Sequence, residues 1–356
     1  MTRFDLSAAV SPIITRAIAD RVFPGTAIEV GRANGPLAAF SAGTLTYEPG
    51  SPAVDARTIY DLASLTKVIG AAPLLAGEVS GGRIRLNDRV RHWIHAWTGE
   101  ERQSVTLRDL LEHASGLPAH RRYFESRQGR ASFEMAICEE PLDFPPRTKS
   151  IYSDPGFMLL GFAIENAGDG ALDQQFDRWR DRELAEGTEL MYRPPQHLRP
   201  RIAPTENTEH GEERRGEVHD ENAHALGGVA SHAGLFGTAA AVGTSARHVM
   251  QVLSGRVGAF QPETMRTFVT RRDDVPGSSR ALGWDTMLPT SSCGTLMSAT
   301  AFGHTGFTGT SLWIDPDSDI YVVLLTNRVH PEASGDAIQE VRRAVHDAVM
   351  REGAKV

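Results

Sequence analysis

Ile320-Tyr321-Val322-Val323-Leu324-Leu325 is an unbroken apolar run. A strand with one wet face alternates apolar and polar side chains, whereas a run without alternation is covered on both faces. These residues are therefore expected to form a central strand of a sheet. Outward from it, residues 310–314 and 281–287 read as further strands, and residues 337–350 as a closing helix. At the other end of the chain Leu6, Val10, Ile13, Ile14, Ala17 and Ile18 recur at helical spacing. Two apolar stretches, 26–31 and 37–43, then flank the turn signal Asn34-Gly35, which predicts a β-hairpin. The middle of the chain is mostly helical in pattern: a helix from about Ala63 until Pro73 disturbs it, then 107–113, 155–166, 244–253 and 263–271.

The economical fold class is α+β. An antiparallel sheet assembled from both chain ends is flanked by the terminal helices and joined to a mostly helical second domain. The expected boundaries are 1–80 with 278–356 for the discontinuous sheet domain, and 81–277 for the helical one. Residues 194–222, rich in Pro, Glu, Arg and His, read as a long surface loop placed to cover a cleft between the two.

With 40% hydrophobic and 23% charged residues, the 356-residue chain has the composition of a folded globular protein. Its net charge of −8 and its lack of a basic stripe argue against a nucleic-acid partner. Two distant cysteines, Cys138 and Cys293, make neither a disulfide framework nor a cysteine-based zinc site. A membrane span needs about 18 consecutive apolar residues, and none occurs. The N-terminal stretch, with Asp5 and Pro12, reads as an amphipathic helix, so a soluble cytoplasmic protein is expected. Oligomeric state is not legible.

Three segments carry chemistry. The first is Ser64-Leu65-Thr66-Lys67. Helical positions three apart share a face, so hydroxyl and ammonium can meet. A serine becomes a nucleophile when a base takes its proton, and a lysine can be that base if burial lowers its pKa. Arginine cannot. Of the 37 Lys and Arg residues only three are lysine (Lys67, Lys149, Lys355), so a lysine inside an apolar segment is informative. Its alternative reading is a surface lysine near a helix serine. The second segment is Tyr152-Ser153-Asp154, where a tyrosine could relay a proton; the alternative is Asp154 as an N-cap and Tyr152 as packing. The third is Gly303-His304-Thr305-Gly306-Phe307-Thr308-Gly309, whose glycines let a substrate approach a strand edge; the alternative is an ordinary glycine-rich turn. His219, Glu221 and His224 lack the His-Glu-x-x-His spacing of a zinc site. A Gly-x-Ser-x-Gly elbow and nucleotide-binding loops are missing too, so no metal or cofactor is implied.

Taken in order, Ser64-x-x-Lys67, Tyr152 and His304-Thr305-Gly306 resemble the superfamily of serine β-lactamases, penicillin-binding proteins and family VIII carboxylesterases, with class C the nearest branch. The stretches 59–67, 107–118 (Leu107-Arg108-Asp109-Leu110-Leu111-Glu112-His113-Ala114-Ser115-Gly116-Leu117-Pro118) and 234–238 extend the resemblance over nearly the whole chain. It implies a β-lactamase/transpeptidase-like fold and an acyl-enzyme at Ser64. Lys67 would be the base or part of a shared proton network, and Tyr152 would protonate the leaving group. The backbone N–H groups of Ser64 and Phe307 would form the oxyanion hole, with His304, Thr305, Gly306 and Asp154 lining the site. Two positions depart from the β-lactamase pattern: Asp154 replaces Asn, and His304 replaces Lys, weakening the fixed charge that holds a substrate carboxylate. The departures suit a carboxylesterase on small acyl esters. Residues 216–223, 227–230 and 232–234 resemble cell-wall-recycling hydrolases, so an amide or muramyl-peptide substrate is the alternative, followed by weak β-lactamase or D,D-peptidase activity. If His304 contacts a substrate carboxylate, affinity should rise as pH falls through roughly 6.5.

Overall fold

The computed structural model describes residues 4–208, 210–255, 260–332 and 335–354. Nine strands appear among them: β1 (Gly25–Arg32), β2 (Gly35–Gly43), β3 (Tyr60–Asp61), β4 (Leu190–Tyr192), β5 (Leu235–Gly237), β6 (Asp285–Thr286), β7 (Phe302–Thr305), β8 (Ser311–Asp315) and β9 (Ile320–Thr326). The α-helices are α1 (Leu6–Ala19), α2 (Ala72–Ser80), α3 (Val90–Trp93), α4 (Leu107–Leu111), α5 (Arg130–Glu139), α6 (Asp154–Ala167), α7 (Leu172–Glu183), α8 (Glu221–Ala225), α9 (Ala239–Leu253), α10 (Pro262–Val269) and α11 (Ala337–Gly353).

The main sheet has six strands in the order β2-β1-β9-β8-β7-β6, each antiparallel to its neighbours. β9 lies between β1 and β8, and every one of its residues is buried. The apolar run is thereby explained. Tyr321, Val323 and Leu325 face one core with residues of α9, such as Val242, Ala246 and Val249. Val322 and Leu324 face another, built from Leu6, Val10 and Ile14 of α1 and Ile338, Val345 and Val349 of α11. The N-terminal strand β1 pairs with β9, so both chain ends build one sheet as the sequence suggests. A smaller sheet, β3-β5-β4, supports the segment leading into Ser64.

The hairpin and the closing helix fall where the hydrophobic pattern places them. Three local expectations change. The helix after Ala63 does not end at Pro73: a π-helical stretch, Lys67–Ala71, runs straight into α2, with Pro73 near the start of α2. Proline lacks the N–H for the bond to the preceding turn, and the wider π turn absorbs that loss. In the expected strand 281–287 only Asp285–Thr286 pair, because this is the sheet edge. The segment 194–222 is not simply surface loop. Residues Gln196–Arg201 form a 3₁₀ turn, Ile59 and Ile202 bridge in parallel, and Ile202 and Val218 join a small buried cluster with Phe236. Glu209 of this segment lies outside the described residues. No helix among the described residues is long and apolar enough to cross a membrane. Cys138 and Cys293 are both buried and free.

Candidate active site

Ser64 lies half-buried in the turn between β3 and the π-helical stretch. That turn is held tightly. Ala63 adopts φ 47, a left-handed conformation unfavourable for a residue with a Cβ, and its N–H donates to Asp61 Oδ1 at 2.8 Å. Asp61 Oδ2 accepts the His219 N–H at 2.7 Å, which ties the 194–222 segment to the base of the turn. From the opposite side the hydroxyls of Thr308 and Thr310 donate to the carbonyls of Asp61 and Leu62, at 2.8 and 3.0 Å. Strand β7 and its following turn are thereby fastened to Ser64. Gly306 has to be glycine: a Cβ there would sit 2.7 Å from the Leu62 carbonyl oxygen.

Lys67 is fully buried, one helical turn beyond Ser64. All three ammonium protons have acceptors: Ser64 Oγ at 3.1 Å, Asp154 Oδ1 at 2.8 Å and the His232 carbonyl at 3.1 Å. Burial alone would lower the Lys67 pKa, but Asp154 and then Tyr152 together outweigh it and hold the value above the ordinary lysine range. The expectation of a lysine whose pKa falls on burial is therefore corrected: the ammonium form of Lys67 is favoured at rest. Burial would likewise raise Asp154, yet Lys67, His120 and His232 hold its carboxyl far below the usual range. Asp154 is free for this pairing because it is not the helix cap. Ser153 caps α6 by accepting the Gly156 N–H at 3.1 Å, and Asp154 occupies the first helical position.

The Tyr152 hydroxyl is buried near both Ser64 and Lys67, without a hydrogen bond of good geometry. The Lys67 ammonium is 4.6 Å from the centre of its ring. Burial raises the Tyr152 pKa and Lys67 opposes the rise without cancelling it, so the phenol is protonated. His304 packs beside Tyr152 with ring centroids 5.7 Å apart, and Thr305 is half-buried at the end of β7. His304 is only 3% exposed, and burial, then Arg280 and Lys67, push its pKa well below 6.5. The neutral imidazole is thereby favoured, which argues against His304 as a pH-dependent anion contact. Phe307 is 56% exposed and lies between the His219 ring, stacked at 5.6 Å, and the Arg328 guanidinium, 4.7 Å from its centroid. The backbone N–H groups of Ser64 and Phe307 donate to no acceptor among the described residues.

The sequence reading missed several neighbours. The Arg280 guanidinium lies 5.1 Å from the centre of the Tyr152 ring and makes no ion pair among the described residues. Buried His113 accepts the Ser153 N–H on Nδ1 at 2.9 Å and packs on Tyr152 at 4.6 Å, fixing the tyrosine from behind. His232 is held by Asp220 at 2.9 Å, so the carbonyl that receives Lys67 is itself anchored. His113 lies within the quoted stretch 107–118, but nothing in its local pattern reveals its contact with Tyr152.

The beta-lactamase family model matches residues 10–346. A protein of Escherichia coli K12 described as "Putative D-alanyl-D-alanine carboxypeptidase" is 34% identical over 316 residues, which span 77% of this chain and 70% of that one. Two solved structures share the fold over 97% of this chain and 98% of theirs. EstCE1, a hydrolase with promiscuous acyltransferase activity, superposes with a TM-score of 0.75 at 20% identity. A penicillin-binding protein homolog from Caulobacter crescentus does so with 0.74 at 18% identity.

Proposed function

The chain belongs to the beta-lactamase family, and from that premise we propose that it is a serine acyl hydrolase whose nucleophile is Ser64 and whose preferred substrates are small acyl esters. The observation that carries the reading is the conjunction of Ser64 Oγ, 3.1 Å from Lys67 Nζ, with unpartnered backbone N–H groups on Ser64 itself and on Phe307. A serine hydroxyl beside a lysine that becomes its base on losing a proton, with two free backbone donors, is what acyl transfer requires.

In this mechanism Lys67 first releases one proton to solvent, against the hold of Asp154 at 2.8 Å. The resulting amine takes the Ser64 proton as Oγ bonds to the acyl carbon. The two N–H groups receive the developing oxyanion. Tyr152 gives its proton to the leaving alkoxide and is reprotonated by Lys67. Water then attacks the acyl-enzyme by the reverse relay, releasing the acid and restoring Ser64. The exposed Phe307, on the turn whose N–H receives the oxyanion, offers an apolar surface suited to short acyl chains.

A second reading, hydrolysis of a peptide with a free C-terminal carboxylate, is favoured by one observation: the unpaired Arg280 beside Tyr152. The test is turnover of p-nitrophenyl butyrate, a muramyl tripeptide, a D-alanyl-D-alanine peptide and a cephalosporin side by side, with Ser64→Ala as the blank. Fast, Ser64-dependent ester cleavage supports the esterase reading. Preferential release of D-alanine would replace it with the peptidase. A fluorophosphonate probe should label native protein at Ser64, and failure to label would overturn the nucleophile assignment.

A further inference from the structure

We infer that Arg342, on the closing helix α11, is a positioning residue for acyl transfer: its guanidinium fixes and polarises the Gly306–Phe307 peptide from behind. The inference rests on the reading above, in which the Phe307 N–H receives the oxyanion.

Arg342 is only 6% exposed, and no carboxylate pairs with it among the described residues. Buried arginines ordinarily meet an acid, because an unpaired charge is costly away from water. Here the guanidinium spends Nη2 on two backbone carbonyls, those of Gly306 and Thr310, each at 2.8 Å. Those two residues already close the turn after β7, since the Gly306 N–H donates to the Thr310 carbonyl at 2.8 Å. Arg342 therefore grips both sides of the turn that carries Phe307.

The choice of carbonyl matters. The Gly306 C=O and the Phe307 N–H belong to one peptide unit. A full positive charge at the oxygen draws electron density toward it and makes the N–H at the other end a stronger donor. It also fixes the plane of that peptide before substrate arrives, which is the condition for efficient oxyanion stabilisation. Burial, and then the nearby Arg328, lower the Arg342 pKa to about 9, so it is still charged at neutral pH. A purely structural staple between helix and sheet would not need a charge: an amide could bond the same carbonyls.

The experiment compares Arg342→Lys and Arg342→Gln with wild type in ester turnover, in boronic acid affinity and in thermal melting. Arg342→Gln should keep KM within about threefold and lose roughly 10- to 100-fold in kcat, since deleting one oxyanion donor outright costs 10²–10³-fold. Affinity for a phenylboronic acid, a mimic of the tetrahedral intermediate, should fall in step with kcat/KM. Arg342→Lys, which restores charge with poorer geometry, should recover part of the loss. Wild-type kcat and boronate affinity in either folded variant would overturn the inference. So would a loss confined to KM, or a Lys variant no better than Gln at equal melting temperature. If Arg342→Gln does not fold, Arg342→Lys alone decides by the same kcat and boronate readouts. Ser64→Ala separates the two levels. Turnover surviving in Ser64→Ala defeats the serine mechanism itself, whereas a dead Ser64→Ala beside a fully active Arg342→Gln defeats only the role of Arg342.

Discussion

Asp154 decides the resting protonation of the site. An asparagine there would leave Lys67 in a buried pocket with neutral acceptors, and burial would then dominate its pKa. The carboxylate reverses the sign and keeps Lys67 charged. The rate should therefore rise with pH as the pair loses its shared proton, and Asp154→Asn should move that acidic limb of kcat/KM to lower pH. A full pH–rate profile on p-nitrophenyl butyrate checks this, and an unmoved limb would remove Lys67 as the base. Lys67→Arg keeps the charge but cannot supply a base, so at least about 10³-fold of kcat should disappear. His304 and Arg280 divide in the same manner. With His304 neutral, affinity for a carboxylate-bearing inhibitor should stay flat over roughly pH 5.5–7.5. Arg280→Ala should weaken that inhibitor about 10- to 100-fold, the worth of a hydrogen bond to a charged group, while KM for an uncharged ester changes little. A pH-dependent affinity that vanishes in His304→Ala would return the anion contact to the histidine.

At the scale of elements, the turn from Gly306 to Thr310 joins the sheet to the nucleophile. Thr308 and Thr310 reach across to Asp61 and Leu62, and Gly306 allows the approach. Gly306→Ala places a methyl group against the Leu62 carbonyl, so the turn has to retreat from Ser64. Displacement of about 1 Å costs roughly 100-fold in rate, and kcat/KM should fall by that order in a protein that still melts cooperatively. Comparable activity in Gly306→Ala would mean the turn carries no catalytic donor. The same scale shows what a sequence reveals. β9 is legible because burial on both faces leaves a local signature, an apolar run without alternation. The π turn before α2 is not, because Pro73 announces a break and the chain accommodates it by widening a turn, which composition does not record. Ser64 and Lys67 are legible because one helical turn separates them. Asp154 enters the site through the resemblance and not through spacing; His232, which receives Lys67, and Arg280, which lies over Tyr152, come from distant segments that only the packed fold brings together. The role of Ser153 as the cap of α6 is visible only in the geometry, and that role is what releases Asp154 to pair with Lys67.

Across the whole molecule, the sheet separates the support of the fold from the support of the site. One face carries α1 and α11, whose Val10, Ile14, Val345 and Val349 pack with Val322 and Leu324. The other faces α9 and the core that continues to Leu65, Val68 and Phe157 around the site. From the first face Arg342 of α11 reaches the catalytic turn, donating to the Gly306 and Thr310 carbonyls. Truncation on the first face at a distance from Arg342 should therefore lower stability and leave chemistry intact. Ile14 is fully buried in α1, and Ile14→Ala removes buried methylenes and leaves a cavity, at a cost of about 2–5 kcal/mol. Urea unfolding should register that loss, while KM and kcat at 25 °C stay within about twofold of wild type as long as the folded state predominates. If kcat fell tenfold in folded Ile14→Ala, the two faces would be mechanically coupled by more than the grip of Arg342.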